Sequence, residues 1–289
     1  MKTLTATLHD GSVIEVEAHG SGPTILLPVN PKPVEGPEAD EKRKWGVDPA
    51  LGKSLIDSLS DVFTVVAFDY EGHLMAHPAP DTLTPENIAK DFLAIADAEG
   101  AQRFAYYGYS WLALSGLQLA IRTDRLWALI MGGYPPVDGP YGEMLKVTKA
   151  THEMTTHPEK AAAANPDSEW DTAEFTLSEG QARQFLTLYE ALRGFDDRSV
   201  QSKVTCPRLC FAGSTDTIVY SERWGGATVD IAGPLVNQAA KIRDFGWDVQ
   251  VLEGLNHVQA MQPANALPVV RTWLISKSSS LDRAHHGQT

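Results

Sequence analysis

The sequence predicts an α/β fold, a mostly parallel sheet with helices on both faces. Three observations predict it. Short apolar runs of strand length recur at Thr24–Asn30, Phe63–Asp69, Arg103–Tyr109, Leu126–Met131, Pro207–Ala212 and Trp247–Leu252. Helical patterns stand between most of them. The runs lead into Asn30, Asp69, Ser110, Gly133, Asp216 and His257, at the carboxyl ends where such sheets bind their ligands.

Residues 3–8 and 13–18 alternate around His9-Asp10-Gly11-Ser12 and predict a hairpin. Pro31 to Asp48 is rich in proline and charge and reads as a long loop. Asp48-Pro49 opens a helix to about Leu59, and Thr84-Pro85 one to about Ala98, which Gly100 closes. Residues 135–203 lack a long apolar strand. They carry helical patterns at Tyr141–Met154, Pro158–Ala164 and Ser178–Leu192, with an acidic patch at Asp167–Glu174. A helix fits Pro234–Phe245 and a closing one Pro263–Ile275. The expected organisation is a core of 1–134 and 204–276, a helical cap at 135–203 and a flexible tail at 277–289.

The chain has 289 residues and a formal net charge of -13. So acidic a chain repels nucleic acid and anionic membranes, which leaves a small molecule as the expected partner. No apolar stretch reaches the length of a membrane span, and the N-terminus shows no signal sequence. Cys206 and Cys210 are too far apart along a strand for a disulfide and have no neighbouring histidine to complete a metal site. They read as reduced core residues, and the expected compartment is the cytoplasm. No glycine-rich phosphate-binding pattern occurs. No cofactor and no metal are expected.

The stretch RFAYYGYSWLALSGLQLA, Arg103 to Ala120, reads as strand, sharp turn and helix, with Ser110 at the turn. Gly108 stands where the tight reversal leaves no room for a side chain. A serine hydroxyl needs a base to become a nucleophile, and the base needs a carboxylate to fix its tautomer. His257 supplies the base and Asp216 the acid, in the chain order Ser, Asp, His.

On Gly108-Tyr109-Ser110-Trp111, Phe68-Asp69-Tyr70-Glu71-Gly72-His73, Pro207–Asp216 and Gly254-Leu255-Asn256-His257, the chain resembles the α/β-hydrolase family, its serine esterase and lactonase branch. The resemblance spans about residues 3–276. It implies an eight-stranded, mostly parallel sheet with a helical cap. It also implies an oxyanion hole built from the backbone N–H groups of Trp111 and of Asn30, with Val29 the alternative to Asn30. Three features depart from the family pattern. Leu112 stands where a small residue is usual, Pro28-Val29-Asn30-Pro31 where His-Gly is frequent, and the interval from Asp216 to His257 is long. The extra length lies in Ser221–Gly233, a candidate for the pocket wall together with 31–48 and 135–203.

The implied activity is hydrolysis of a small carboxylic ester or lactone through an acyl-enzyme. Carbon–carbon, thioester and perhydrolase chemistry use the same triad, and a non-catalytic binding protein on the same scaffold is the rival from another class. Haloalkane dehalogenases and epoxide hydrolases also resemble the chain, including a Trp after the nucleophile, but they use an aspartate where this chain has Ser110. Asp69 and Asp138 are weaker candidates for the acid. His73 and His77 read as loop histidines, and His152 and His157 as exposed residues of the insertion. The Trp111 indole either shapes the substrate or packs under the insertion. Trp45, Trp170 and Trp224 are candidates for the pocket entrance.

Overall fold

A computed structural model describes residues 1–157, 159 and 175–286, with side chains as far as residue 279. Elements are numbered in chain order among these residues. The N-terminal strands β1 (Lys2–Thr7) and β2 (Val13–His19) form the predicted antiparallel hairpin, with Lys2 opposite Ala18 and Thr7 opposite Val13. β3 (Thr24–Leu27), β4 (Thr64–Ala67), β5 (Phe104–Tyr109), β6 (Leu126–Gly132), β7 (Arg208–Gly213) and β10 (Trp247–Leu252) complete an eight-stranded sheet. Its order is β1-β2-β4-β3-β5-β6-β7-β10, parallel from β4 to β10. β8 (Thr217–Val219) and β9 (Thr228–Asp230) form a separate antiparallel pair.

Strand alternation divides the core into two layers, because successive side chains leave a strand on opposite faces. Leu26, Val66, Phe104, Tyr106, Leu129, Met131 and Cys210 share one layer. Ile25, Val65, Ala105, Tyr107, Ile130, Leu209 and Phe211 share the other. The helices α1 (Gly36–Lys44) and α2 (Leu51–Leu59) follow β3, α3 (Tyr70–Ala76) and α4 (Pro85–Glu99) follow β4, and α5 (Trp111–Ala120) follows β5. α4 packs Ile88, Phe92 and Ile95 on the first layer. α2 packs Leu55, Ile56 and Leu59 on the second. Thr84 caps α4 by accepting the Asn87 N–H at 3.3 Å, and Gly100 ends it in the left-handed conformation at φ 78°.

In the insertion, α6 (Tyr141–Thr156) and α7 (Glu179–Ala191) lie against each other, and Ser178 and Gln181 form a reciprocal capping box at the start of α7. Residues 135–203 add no strand to the sheet among the described residues. Pro158–Ala164 and Asp167–Glu174 lie outside the described residues, apart from Glu159.

Four expectations need correction. The segment 31–48 is not all loop, since α1 occupies Gly36–Lys44. It starts with Pro37 in its first turn, carries Glu38 near its N-terminus and Lys42, Arg43 and Lys44 near its C-terminus, and is braced by Arg43–Asp40 and Lys44–Glu41 pairs at 2.7 and 2.9 Å. Such a helix has almost no apolar stripe. His73 is helical, in α3, and His77 is its C-cap rather than part of a loop. The helix expected over Pro234–Phe245 is two pieces, α8 (Ala232–Asn237) and α9 (Ala239–Asp244), broken at Gln238 with φ −125° and ψ 20°. The last helix, α11 (Pro263–His286), continues through most of the segment expected to be a flexible tail, and Lys277 pairs with Asp248 at 3.0 Å. It follows the short α10 (His257–Met261).

Near the hairpin turn lies a buried polar cluster. Asp91, fully buried on α4, accepts the His9 backbone N–H at 2.6 Å and the Tyr70 hydroxyl at 2.7 Å, and both its oxygens meet His9 Nδ1 at 2.9–3.0 Å. The far side of the His9 ring reaches Thr82 Oγ1 at 3.0 Å.

Candidate active site

Ser110 sits between β5 and α5 with φ 57° and ψ −131°, a backbone state that costs a non-glycine residue about 1–3 kcal/mol. Its own N–H donates to Gly132 O at 2.8 Å, which ties the corner to β6. The glycine two residues earlier is required by close approach. A Cβ on Gly108 would lie 2.4 Å from Leu112 O and 2.8 Å from Tyr106 Cε1. Gly116, two turns into α5, is likewise pressed on the Tyr106 ring, at 2.6 Å from a notional Cβ. Leu112, where a small residue is usual, is buried, and its carbonyl accepts the Tyr106 hydroxyl at 2.8 Å.

The acid and histidine loops are stitched together. Ser214 N–H donates to Leu252 O at 2.9 Å, Thr215 N–H to Leu255 O at 3.1 Å, and Gly254 N–H to Ser214 Oγ at 2.8 Å. Asn256 and Gln259 form a capping box that starts α10 at His257. His257 Nδ1 lies 3.1 and 2.9 Å from the two oxygens of Asp216, which is fully buried. A buried carboxylate on Nδ1 fixes the proton there and leaves Nε2 as the free acceptor. Tyr109, directly before the serine, donates its hydroxyl to His257 O at 2.7 Å and lies beside the imidazole at 5.1 Å between ring centroids. Burial and the Asp216 charge push the Tyr109 phenol well above its ordinary range, so it stays neutral.

The interval of 41 positions from acid to base accommodates the β8–β9 hairpin, which returns to Asp216. Ile231 and Ala232 donate their N–H groups to Asp216 O at 3.1 and 2.9 Å. The other acid candidates are occupied elsewhere. Asp69 caps α3 by accepting the Gly72 N–H at 2.9 Å. Asp138 is paired with Arg198, which donates Nε–H at 2.8 Å, and with Gln238 at 2.9 Å.

Ser110, Trp111, Asn30 and His257 all line one cavity of about 540 Å³. Val29 commits its N–H to Leu27 O at 2.9 Å. The Asn30 side chain accepts the Lys32 N–H at 2.9 Å and fixes the turn. The Trp111 N–H opens α5, where backbone donors have no partner within the helix.

Among the described residues, the outer wall of this cavity comes from 31–48, including Glu38 and Lys42 of α1. Residues 221–233 do not line it: that segment packs against the insertion, with Gly225 close to the Lys146 carbonyl of α6 and Val229 and Ile231 buried. No described residue of 135–203 lines it either. Trp111 explains how the insertion is seated. Its indole meets Tyr70 at 6.2 Å on one side and Phe185 of α7, edge-on, at 5.3 Å. Trp45 donates to Glu41 at 3.1 Å and Trp224 meets Phe175 at 6.0 Å, both away from the cavity, while Trp170 lies outside the described residues. His152 and His157 lie near Glu179 and Glu159, at 3.9 and 3.3 Å, also away from it.

Sequence reasoning missed Glu71. This carboxylate lines the cavity and accepts the Trp111 indole N–H at 3.1 Å. The side chain is exposed, yet the protein packed around it, together with the Asp69 charge, raises its carboxyl above the ordinary range, against the pull of the Trp111 N–H and of Lys42. The signal available was its position two residues beyond Asp69, where the apolar run ends.

The rings of His73 and His77 stack at 4.9 Å, with His73 Nε2 2.8 Å from Ser12 Oγ. No group of three or more metal-ligand side chains occurs among the described residues, and no helix among them is long and apolar enough to cross a membrane. Cys206 and Cys210 are both buried and unbridged.

No protein-family profile matches the sequence, and no curated protein matches it. Solved structures do match over nearly the whole length. A thermophilic esterase from Thermogutta terrifontis aligns at 15% identity with a TM-score of 0.61, covering 96% of this chain and all (100%) of that one. An enol-lactonase from Burkholderia xenovorans LB400 aligns at 18% identity with a TM-score of 0.60, covering 94% and 99%. A carboxylesterase from Bacillus subtilis aligns at 14% identity with a TM-score of 0.57, covering 94% and 91%. With the sheet order and the serine corner described above, these alignments establish that the chain has the α/β-hydrolase fold.

Proposed function

We propose that the protein is a serine hydrolase that cleaves a small carboxylic ester or lactone through an acyl-enzyme. The observation that carries this reading is the His257–Asp216 pair, bonded through Nδ1 at 2.9 Å and opening on the same cavity as Ser110. Ser110 attacks the carbonyl carbon while His257 Nε2 takes its proton. Asp216 stabilises the imidazolium that results. The N–H groups of Trp111 and Asn30 receive the negative charge that gathers on the carbonyl oxygen. His257 then gives its proton to the departing alkoxide, and water repeats the sequence on the acyl-enzyme. A thioester presents the same carbonyl carbon with an easier leaving group, so the same groups serve it. The esterase and enol-lactonase neighbours support it as enzymes of this chemistry on the same fold.

Turnover of p-nitrophenyl acetate and butyrate tests the reading. Ser110→Ala should lower kcat/KM by at least about 10³-fold, and a fluorophosphonate should label wild-type protein once, at Ser110. Full turnover by the alanine variant, or folded protein that resists labelling, would overturn it.

A further inference from the structure

Glu71 has no part in the chemistry just described, yet it faces the cavity that holds Ser110. Its hydrogen-bond partner is the Trp111 indole N–H, and no described lysine or arginine forms an ion pair with it. The other charged groups of the wall are occupied. Lys32 pairs with Glu15 at 2.6 Å and Glu17 at 4.0 Å, and Lys42 with Glu38 at 4.0 Å. Asp48 accepts the Ala50 N–H at 2.8 Å, and Asp69 caps α3. The wall carries Glu38, Asp48, Asp69 and Glu71 against Lys32 and Lys42, so its balance is negative. Only Glu71 among the four carboxylates lacks both an ion pair and a backbone donor.

Two further features sharpen this. Trp111, held between Tyr70 and Phe185, places its ring system beside the same carboxylate. The carboxylate supplies the charge that attracts an ammonium group, and the indole beside it supplies apolar surface for that group's alkyl carbons. The Glu71 side chain is also exposed, so a ligand can reach it, and the neighbouring Asp69 charge acts on it more strongly than the opposing charge of Lys42.

We propose that Glu71 and the Trp111 indole form a cation subsite beside the nucleophile, so that the protein prefers esters or thioesters carrying an ammonium group. This specificity rests on the ester-hydrolase reading above, whereas the subsite itself binds whether or not Ser110 reacts.

The test compares acetylthiocholine, its neutral carbon isostere S-(3,3-dimethylbutyl) thioacetate and the anionic S-(2-carboxyethyl) thioacetate, each followed by thiol release. Wild-type protein should favour the cation over the isostere by about tenfold in kcat/KM, which corresponds to ~1.4 kcal/mol. The anion should be the poorest of the three. In Glu71→Gln the cation-to-isostere ratio should fall toward one, and in Glu71→Asp it should stay above the Gln value. Calorimetric binding of the two isosteres to Ser110→Ala should show the same preference in Kd without turnover. A wild-type ratio of one or less, a preference for the anion, or a ratio that survives Glu71→Gln would overturn the proposal. Cation-selective binding to Ser110→Ala, with no cleavage of any thioester or p-nitrophenyl ester by wild type, would instead sink the hydrolase reading and leave the subsite standing.

Discussion

Gly108→Ala tests how Ser110 is held. The added methyl would lie 2.4 Å from Leu112 O and 2.8 Å from Tyr106 Cε1, where contacts closer than 3.0 Å force something to move. Neither neighbour moves freely. Leu112 O accepts the buried Tyr106 hydroxyl at 2.8 Å, and Gly116 holds α5 against the same ring further along. The helix start must therefore lift from β5. Overpacking costs about 1–3 kcal/mol, and loss of the Tyr106–Leu112 hydrogen bond adds ~1–3 kcal/mol if the hydroxyl is left unpaired. The sum is roughly 2–6 kcal/mol, or about 4–12 °C in Tm at ~2 °C per kcal/mol for a chain of this size. The lift also carries the Trp111 N–H away from the place it takes in the proposed oxyanion hole, so fluorophosphonate labelling should slow by about 10²-fold or more. Calorimetry and labelling kinetics on the purified variant measure both. A variant that melts within about 1 °C of wild type and labels at the wild-type rate would refute this account of the corner.

Asp216→Asn should keep the fold and lower kcat for p-nitrophenyl acetate by about 10³–10⁴-fold, because the amide no longer selects the productive tautomer of His257; a loss under tenfold would contradict the assignment. The Glu71 carboxyl titrates above its unfolded value, so the neutral form is favoured in the folded state, and its ionisation costs stability as pH rises from about 4.5 through the folded pKa. Glu71→Gln should therefore raise Tm relative to wild type more at pH 8 than at pH 4, and an equal difference at both would count against the raised value. Burial pushes the Cys206 thiol up to about 11 and the Cys210 thiol higher still, so a thiol-exchange reagent should titrate neither residue in native protein and both in denaturant. Rapid native reaction at either would show that its site opens.

The strands and the serine corner were legible in the sequence because burial writes itself as apolar runs, and because a reversal as tight as Gly108–Ser110 tolerates few residues. The ends of those strands then brought Asp216 and His257 together without any contact between them being visible in the chain. Other features left no such trace. α1 is held by its terminal charges and ion pairs rather than by an apolar face, so periodicity passes over it. For that reason the segment that walls the cavity was read as a loop, while Ser221–Gly233, offered as pocket on length alone, packs against the insertion. The break at Gln238 and the continuation of α11 beyond Ile275 likewise depend on neighbours rather than on local pattern. Glu71 was passed over because a carboxylate near a strand end acquires meaning only when Trp111, forty residues later, donates to it.

The buried Asp91 cluster has a consequence for how the molecule ages and unfolds. Asp91 grips the hairpin turn through His9 and, on its other oxygen, the Tyr70 hydroxyl, and the Tyr70 ring in turn abuts Trp111. The first ten residues and the pocket floor are thus opposite ends of one strut. Heat or acid that frays the N-terminus should slacken the nucleophile's support while the central strands are still protected, so activity should be lost at a lower temperature than the bulk of the sheet. A large tag fused at Met1, or removal of the first hairpin, should be felt at Ser110 although neither comes near it.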